Sequence, residues 1–146
     1  MAIPSLLVAA FIANAPCEGR TQALVTWTDA HRLYVCEGGR ATAEYPVALG
    51  RDGVSPPKEF SDKTPLGTWP LGPPRASAKY RVFIPFRGNY GLHGPARAFR
   101  FAGQANVSVD WTLGCIAVAT DDIIQSVAAW VRLHPSARLH IERGAR

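Results

Sequence analysis

His93 and Cys115 are the side chains best suited to covalent chemistry near neutral pH, and 115 − 93 = 22 positions separate them. His93 stands in Gly91-Leu92-His93-Gly94-Pro95, and Cys115 ends Asp110-Trp111-Thr112-Leu113-Gly114-Cys115 just before Ile116-Ala117-Val118. A cysteine attacks acyl groups as the thiolate, and a neighbouring imidazole is the commonest means of making one. Gly114 lets backbone approach a substrate closely and lets successive N–H groups turn toward a developing oxyanion. The Thr112 hydroxyl adds a hydrogen bond nearby, with Gly94 and Leu113 as the remaining close supports. Tyr90 and Trp111 flank the two segments, where aromatic residues pack or wall a cleft. Lys63, Arg97 and Arg100 are cations that can meet a substrate carboxylate, although Arg97 and Arg100 read better as solvated charge. Asp110 is placed to orient a catalytic ring. A lone Cys near a lone His is structural more often than catalytic, so the surrounding elements have to decide.

Those elements are mostly strands. Ala23–Trp27 and Arg32–Cys36 read as a hairpin, and Ala43–Leu49 as a third strand after the Glu37-Gly38-Gly39-Arg40 turn. Residues Arg51 to Asp62 are polar, carry Pro56-Pro57, and are expected as a loop. Thr64-Pro65-Leu66-Gly67-Thr68-Trp69 is a tight turn entering a strand, and Tyr80–Phe86 alternates as another. Arg87 to Asp110 is a Gly-rich excursion of weak periodicity, and Cys115–Ala119 is a short buried strand. One helix follows. Thr120 caps it, Asp121 and Asp122 suit its positive end, and Ile123, Ile124, Val127, Ala128 and Val131 trace one face. His134-Pro135 ends it and Ala137–Ile141 is a last strand. His31, His134 and His140 are expected to be structural.

At 146 residues and 15.8 kDa the chain fits one domain, and 47 % apolar content excludes intrinsic disorder. No stretch is long enough to span a bilayer, which excludes an integral membrane protein. The net charge is 16 − 11 = +5 and 13 of the 16 cations are arginine. Such a surface favours anionic partners: nucleic acid, acidic lipid or anionic cell-wall polymer. The arginines do not cluster and no aromatic-basic motif appears, so nucleic acid is not expected. Ile3 to Ala15 is apolar and ends Ala13-Asn14-Ala15, a pattern signal peptidase reads, although no positive charge precedes it and Pro16 follows. Residues 1–19 are therefore expected to be an export segment or N-terminal extension, and 20–146 the working domain. Export would let Cys17 pair with Cys36 and leave Cys115 free. The simpler expectation is that Cys17 and Cys36 are small buried hydrophobes.

His93-Gly94 followed by Thr112-Leu113-Gly114-Cys115-Ile116 resembles the signature of the L,D-transpeptidase (YkuD-like) family, a His-Gly and then Ser/Thr-x-Gly-Cys-Ile/Val. Ser61-Asp62-Lys63-Thr64-Pro65-Leu66-Gly67-Thr68-Trp69 resembles the family's Gly-Asp-x-x-Thr-Pro-Glu-Gly-x-Tyr element. Arg32-Leu33-Tyr34-Val35 and Glu44-Tyr45-Pro46-Val47-Ala48-Leu49-Gly50 resemble its opening strands. The resemblance runs in the family's order from about Ala23 to Ile141.

It implies a mostly β, sandwich-like fold with one helix packed near the C-terminus, Cys115 as nucleophile and His93 as base. It further implies a thioester formed on a peptidoglycan stem peptide with release of the terminal D-amino acid. An acceptor amine then completes a 3→3 crosslink, or water completes a carboxypeptidase reaction. No cofactor or metal is implied, and the expected setting is the periplasm or cell envelope, with the protein a monomer. Leu113 and Ala117 stand where the common signature has His and Arg, which leaves transfer and hydrolysis, including amidase action, both open. A cell-wall-binding module without turnover is the non-catalytic alternative.

Overall fold

The computed structural model describes residues 15–56 and 62–144. Its framework is an eight-stranded mixed sheet in the order β6-β10-β1-β2-β3-β9-β8-β7, with a two-stranded pair, β4-β5, beside it. The strands are β1 (Gln22–Trp27), β2 (Arg32–Glu37), β3 (Arg40–Ala48), β4 (Val54–Ser55), β5 (Thr64–Pro65), β6 (Gly67–Pro70), β7 (Phe83–Arg87), β8 (Tyr90–His93), β9 (Ile116–Val118) and β10 (Arg138–Glu142). The single α-helix among the described residues, α1, spans Asp121–Leu133. The mostly β architecture with one helix near the C-terminus is the expected one.

β3 joins the two halves of the sheet. Arg40 through Pro46 pair with β2, and the last two residues, Val47 and Ala48, pair with β9 instead. The main core lies on one side, where Leu24, Leu33, Val35, Val47, Leu92, Ile116 and Leu139 meet Ile124, Val127, Ala128 and Val131 of α1. The helix forms where its sequence signals stood: the Thr120 hydroxyl accepts the Ile123 N–H at 3.3 Å, and both first-turn acids are present.

β1 is buried at four consecutive positions, Ala23 through Thr26, so both of its faces are covered. The second cover is a small cluster of Cys17, Ala23, Val25, Tyr34 and Cys36. Here the structure corrects one expectation. Cys17 and Cys36 are buried, but they are disulfide-bonded, with Cα atoms 5.3 Å apart. Cys36 lies opposite Ala23 in the β1–β2 ladder, and the 3-10 turn Ala15–Cys17 packs over that spot. Pairing needs this tertiary placement, which spacing along the chain does not reveal. Most of the expected export segment, residues 1–14, lies outside the described residues.

Other boundaries moved as well, and β3 starts at Arg40 rather than Ala43. β7 starts at Phe83 rather than Tyr80, because Tyr80 closes a turn whose N–H is held by the Ser77 hydroxyl at 3.0 Å. The expected 51–62 loop contains β4, which pairs in parallel with β5. The Arg87–Asp110 excursion holds β8 and a 3-10 segment, Arg97–Val107, kinked at Gly103. β8 is only four residues long, Tyr90 and Leu92 alternating with Gly91 and His93, too short a pattern to show its period.

Candidate active site

β8 and β9 run in parallel, with Leu92 beside Ile116 and His93 beside Ala117. Leu92 and Ile116 are fully buried in the main core, so strand alternation turns Gly91, His93 and Cys115 to the other face. Cys115 stands just before β9 and therefore next to Gly91, whose N–H reaches Sγ at 3.4 Å. His93 is two residues further along the same face. A rise of ~3.3 Å per residue and a strand spacing of ~4.8 Å put the two Cα atoms roughly 8 Å apart. Both side chains line one cleft of about 770 Å³.

His93 is wholly buried, and its Nδ1 lies 2.6 Å from the carbonyl oxygen of Gly94. A carbonyl only accepts, so Nδ1 carries the proton and Nε2 holds the free lone pair. Nε2 has no hydrogen-bond partner. Tyr80 stacks on the imidazole at 3.6 Å and 16°, and Trp111 tilts against it at 5.7 Å. Burial pulls the His93 pKa down to about 4, with a positive Lys79 assisting and the Gly94 bond opposing. Burial also pushes the Cys115 thiol up, against the Gly91 N–H and Lys79. The resting pair is therefore neutral, a thiol and an imidazole lining the same cleft, with the thiol directed to the Asn89 carbonyl at 3.8 Å. It is not the preformed thiolate that the residue types suggest, because desolvation penalises both charged forms.

The turn before Cys115 is held by Thr112. Its hydroxyl donates to the Cys115 carbonyl at 2.7 Å and accepts the Gly114 N–H at 3.1 Å. Thr112 itself is tied to the end of β3: its N–H bonds to Leu49 O at 3.2 Å and its carbonyl accepts Arg51 N–H at 2.9 Å. This alters the expected oxyanion site. The Gly114 N–H is already committed to Thr112, and the Cys115 N–H, without an acceptor among the described residues, is the donor that remains. Gly114 has φ +120°, and a Cβ there would sit 2.3 Å from Tyr90 Cε1 and 2.9 Å from the Lys63 carbonyl oxygen. Glycine is required by both strain and space. Gly94 lets the end of β8 approach α1, since a Cβ would come 3.0 Å from Ile124 Cγ2.

Tyr90, Trp111, Thr112 and Leu113 all line the cleft with His93 and Cys115. Lys63 does not line it, and its backbone is what abuts Gly114. The lining cations are Lys79 and Arg87, and the lining carboxylate is Asp62, which pairs with Arg51. Sequence reading missed Lys79, Arg87 and Tyr80. Nothing in the local pattern marks them, since they enter the cleft through the turn at 77–80 and the β7 edge. Tyr80 keeps its phenolic proton, its pKa pushed up to about 12 by burial and the nearby Cys115. Asp110 does not orient the His93 ring. It bonds His31 Nε2 at 2.9 Å and the Leu49 N–H at 2.8 Å instead. His134 and His140 are structural, bonded to the Trp130 carbonyl and the Thr68 hydroxyl. Among the described residues no three His, Cys, Asp or Glu side chains gather as metal ligands.

A family model described as the L,D-transpeptidase catalytic domain matches residues 21–136. Solved structures with the same fold include an L,D-transpeptidase from Xylanimonas cellulosilytica, 17 % identical with TM-score 0.56 over 84 % of this chain and 62 % of that one. An L,D-transpeptidase from Mycobacterium tuberculosis is 13 % identical with TM-score 0.57, covering 84 % and 57 %. The catalytic domain of the E. faecium L,D-transpeptidase is 10 % identical with TM-score 0.57, covering 82 % and 95 %. The chain thus spans about three fifths of the first two. No curated protein matches. On a match over most of its length and a shared fold, the chain belongs to the L,D-transpeptidase catalytic domain family.

Proposed function

We propose that this domain is a cysteine-dependent L,D-transpeptidase acting on peptidoglycan stem peptides outside the cytoplasmic membrane. The observation that carries this reading is the buried, unpartnered Nε2 of His93, a base with no task inside the fold, in the same cleft as the free Cys115. Cys115 Sγ attacks the carbonyl between the L- and D-centres while its proton passes to His93 Nε2. Because the pair rests neutral, deprotonation accompanies attack. The Cys115 N–H stabilises the tetrahedral oxyanion, a contribution of ~3 kcal/mol for one such donor. His93 then gives its proton to the departing D-amino acid, leaving a thioester on Sγ. An acceptor amine loses its proton to His93, attacks the thioester and restores the thiol with a new amide bond, the 3→3 crosslink. Lys79 and Arg87 offer the cleft's positive charge to stem carboxylates.

The Cys17–Cys36 disulfide supports an oxidising, extracytoplasmic setting. No helix among the described residues is long and apolar enough to cross a membrane. Incubation with purified tetrapeptide muropeptides, followed by mass spectrometry, tests the reading. Loss of the terminal D-amino acid, an acyl adduct on Cys115 and a 3→3 dimer are expected, all absent from Cys115→Ser. Release of tripeptide without dimer would assign hydrolysis instead, and no adduct at all would leave a binding module.

A further inference from the structure

Four of the five large apolar side chains exposed among the described residues fall within positions 99–113: Phe99 (64 %), Phe101 (87 %), Val109 (64 %) and Leu113 (57 %). They project from the 3-10 segment Arg97–Val107, which buries none of its own residues, and from the chain leading on to Cys115. Phe99 and Val109 share a groove of about 310 Å³ with Trp111, which also walls the catalytic cleft. The support beneath is firmly bonded. The Arg97 N–H donates to Lys79 O at 3.0 Å and its guanidinium to Ser77 O at 3.0 Å. Asn106 Nδ2 donates to Ala119 O at 3.1 Å, and Trp111 Nε1 to Asn106 O at 2.8 Å. The fold leaves two phenyl rings out in water on a firmly bonded support, which marks an interaction surface.

The charge around those rings narrows the partner. From Gly91 through Val109 the sequence holds Arg97 and Arg100 and no carboxylate. The Arg100 guanidinium sits 4.7 Å from the Phe101 ring, and Lys79 stands at the groove and at the cleft mouth. The next acid, Asp110, is bonded to His31. A saccharide platform needs outward hydrogen-bond donors beside its rings, whereas the amide of Asn106 donates inward, to Phe99 O and Ala119 O. Exposed phenyl rings among cations are suited to an anionic bilayer interface: the rings enter the headgroup–acyl boundary and the cations meet lipid phosphates.

We propose that this face docks the domain onto an anionic phospholipid surface, with Phe99 and Phe101 inserted and Arg100 against the phosphates. The docking is independent of the reaction assigned to Cys115, and it would present the cleft mouth beside the membrane. Co-sedimentation of the whole chain with phosphatidylglycerol vesicles, phosphatidylcholine vesicles and insoluble peptidoglycan tests it. Of the two lipids, binding to phosphatidylglycerol and not to phosphatidylcholine is expected, weakening with salt, whatever the binding to peptidoglycan. Phe101→Ser should lower vesicle affinity about tenfold, the loss expected for one inserted aromatic ring. Arg100→Ala should lower it about fivefold, as for one surface cation. Both side chains are exposed, so circular dichroism and the melting temperature should match the parent. Absent vesicle binding, equal binding to both lipids, or vesicle binding untouched by the variants would overturn the proposal. So would variants that lose binding to peptidoglycan or self-association in gel filtration and nothing else.

Discussion

Acidification is the perturbation that bears most directly on the buried imidazole. In the folded chain His93 titrates at about 4, against 6.5 when solvated. At 1.36 kcal/mol per pH unit that gap amounts to ~3 kcal/mol. Its direction follows from proton counting. Between pH 6.5 and 4 the unfolded chain has taken up a proton that the folded chain refuses, so stability falls as pH falls. Above about 6.5 both states are neutral and the effect vanishes, whereas below about 4 both are charged and the loss is complete. A loss of ~3 kcal/mol is a large part of the 5–15 kcal/mol that holds a domain together. Denaturant unfolding at a series of pH values, for the parent and for His93→Gln, isolates the contribution. Glutamine stays neutral and can still donate to the Gly94 carbonyl, so the two stability curves should diverge by ~3 kcal/mol between pH 6.5 and 4. Parallel curves would refute the burial reasoning. The same quantity governs the proposed reaction, because kcat/KM reports the base of the free enzyme. Its acid limb should lie near pH 4, and a limb near 6.5 would mean that His93 is solvated or that another group is the base.

Three further perturbations read other parts of the structure. Gly114→Ala forces a Cβ to 2.3 Å from Tyr90 at a φ of +120°, so turnover should collapse and urea unfolding should show a loss of ~1–3 kcal/mol. Thr112→Val removes both bonds that hold the turn, costing ~1–3 kcal/mol by urea titration, while Thr112→Ser should recover most of it. Opening the Cys17–Cys36 bond, with 19 residues of separation, should cost roughly 3 kcal/mol, seen as a lower denaturation midpoint in reductant or in the Cys17→Ala/Cys36→Ala double variant.

The helix, the first hairpin and the last strand were legible because each carries its own periodicity and punctuation. Thr120, Asp121 and Asp122 announce a helix start, and Ile124, Val127 and Val131 name its buried face. Cys115 and His93, the proposed nucleophile and base, stood out by residue type, and the family resemblance set their order along the chain. β8 was not legible, since four residues are too few to carry a period. The disulfide was one of two readings of Cys17 and Cys36 and not the preferred one, since it depends on the 3-10 turn at Ala15–Cys17 folding over β2.

By itself, then, the amino-acid order determined which side chains can react, which segments are strands, and where the helix begins and ends. These are local properties, written in neighbours a few positions apart. Only the tertiary structure decided how those groups behave. The β8–β9 register turns His93 and Cys115 to one face, and burial leaves both of them neutral. Thr112 takes the Gly114 N–H, Asp110 is drawn to His31, and Tyr80 is laid on the imidazole. Each of these depends on desolvation or on a contact between residues distant in the chain, and both are set by packing.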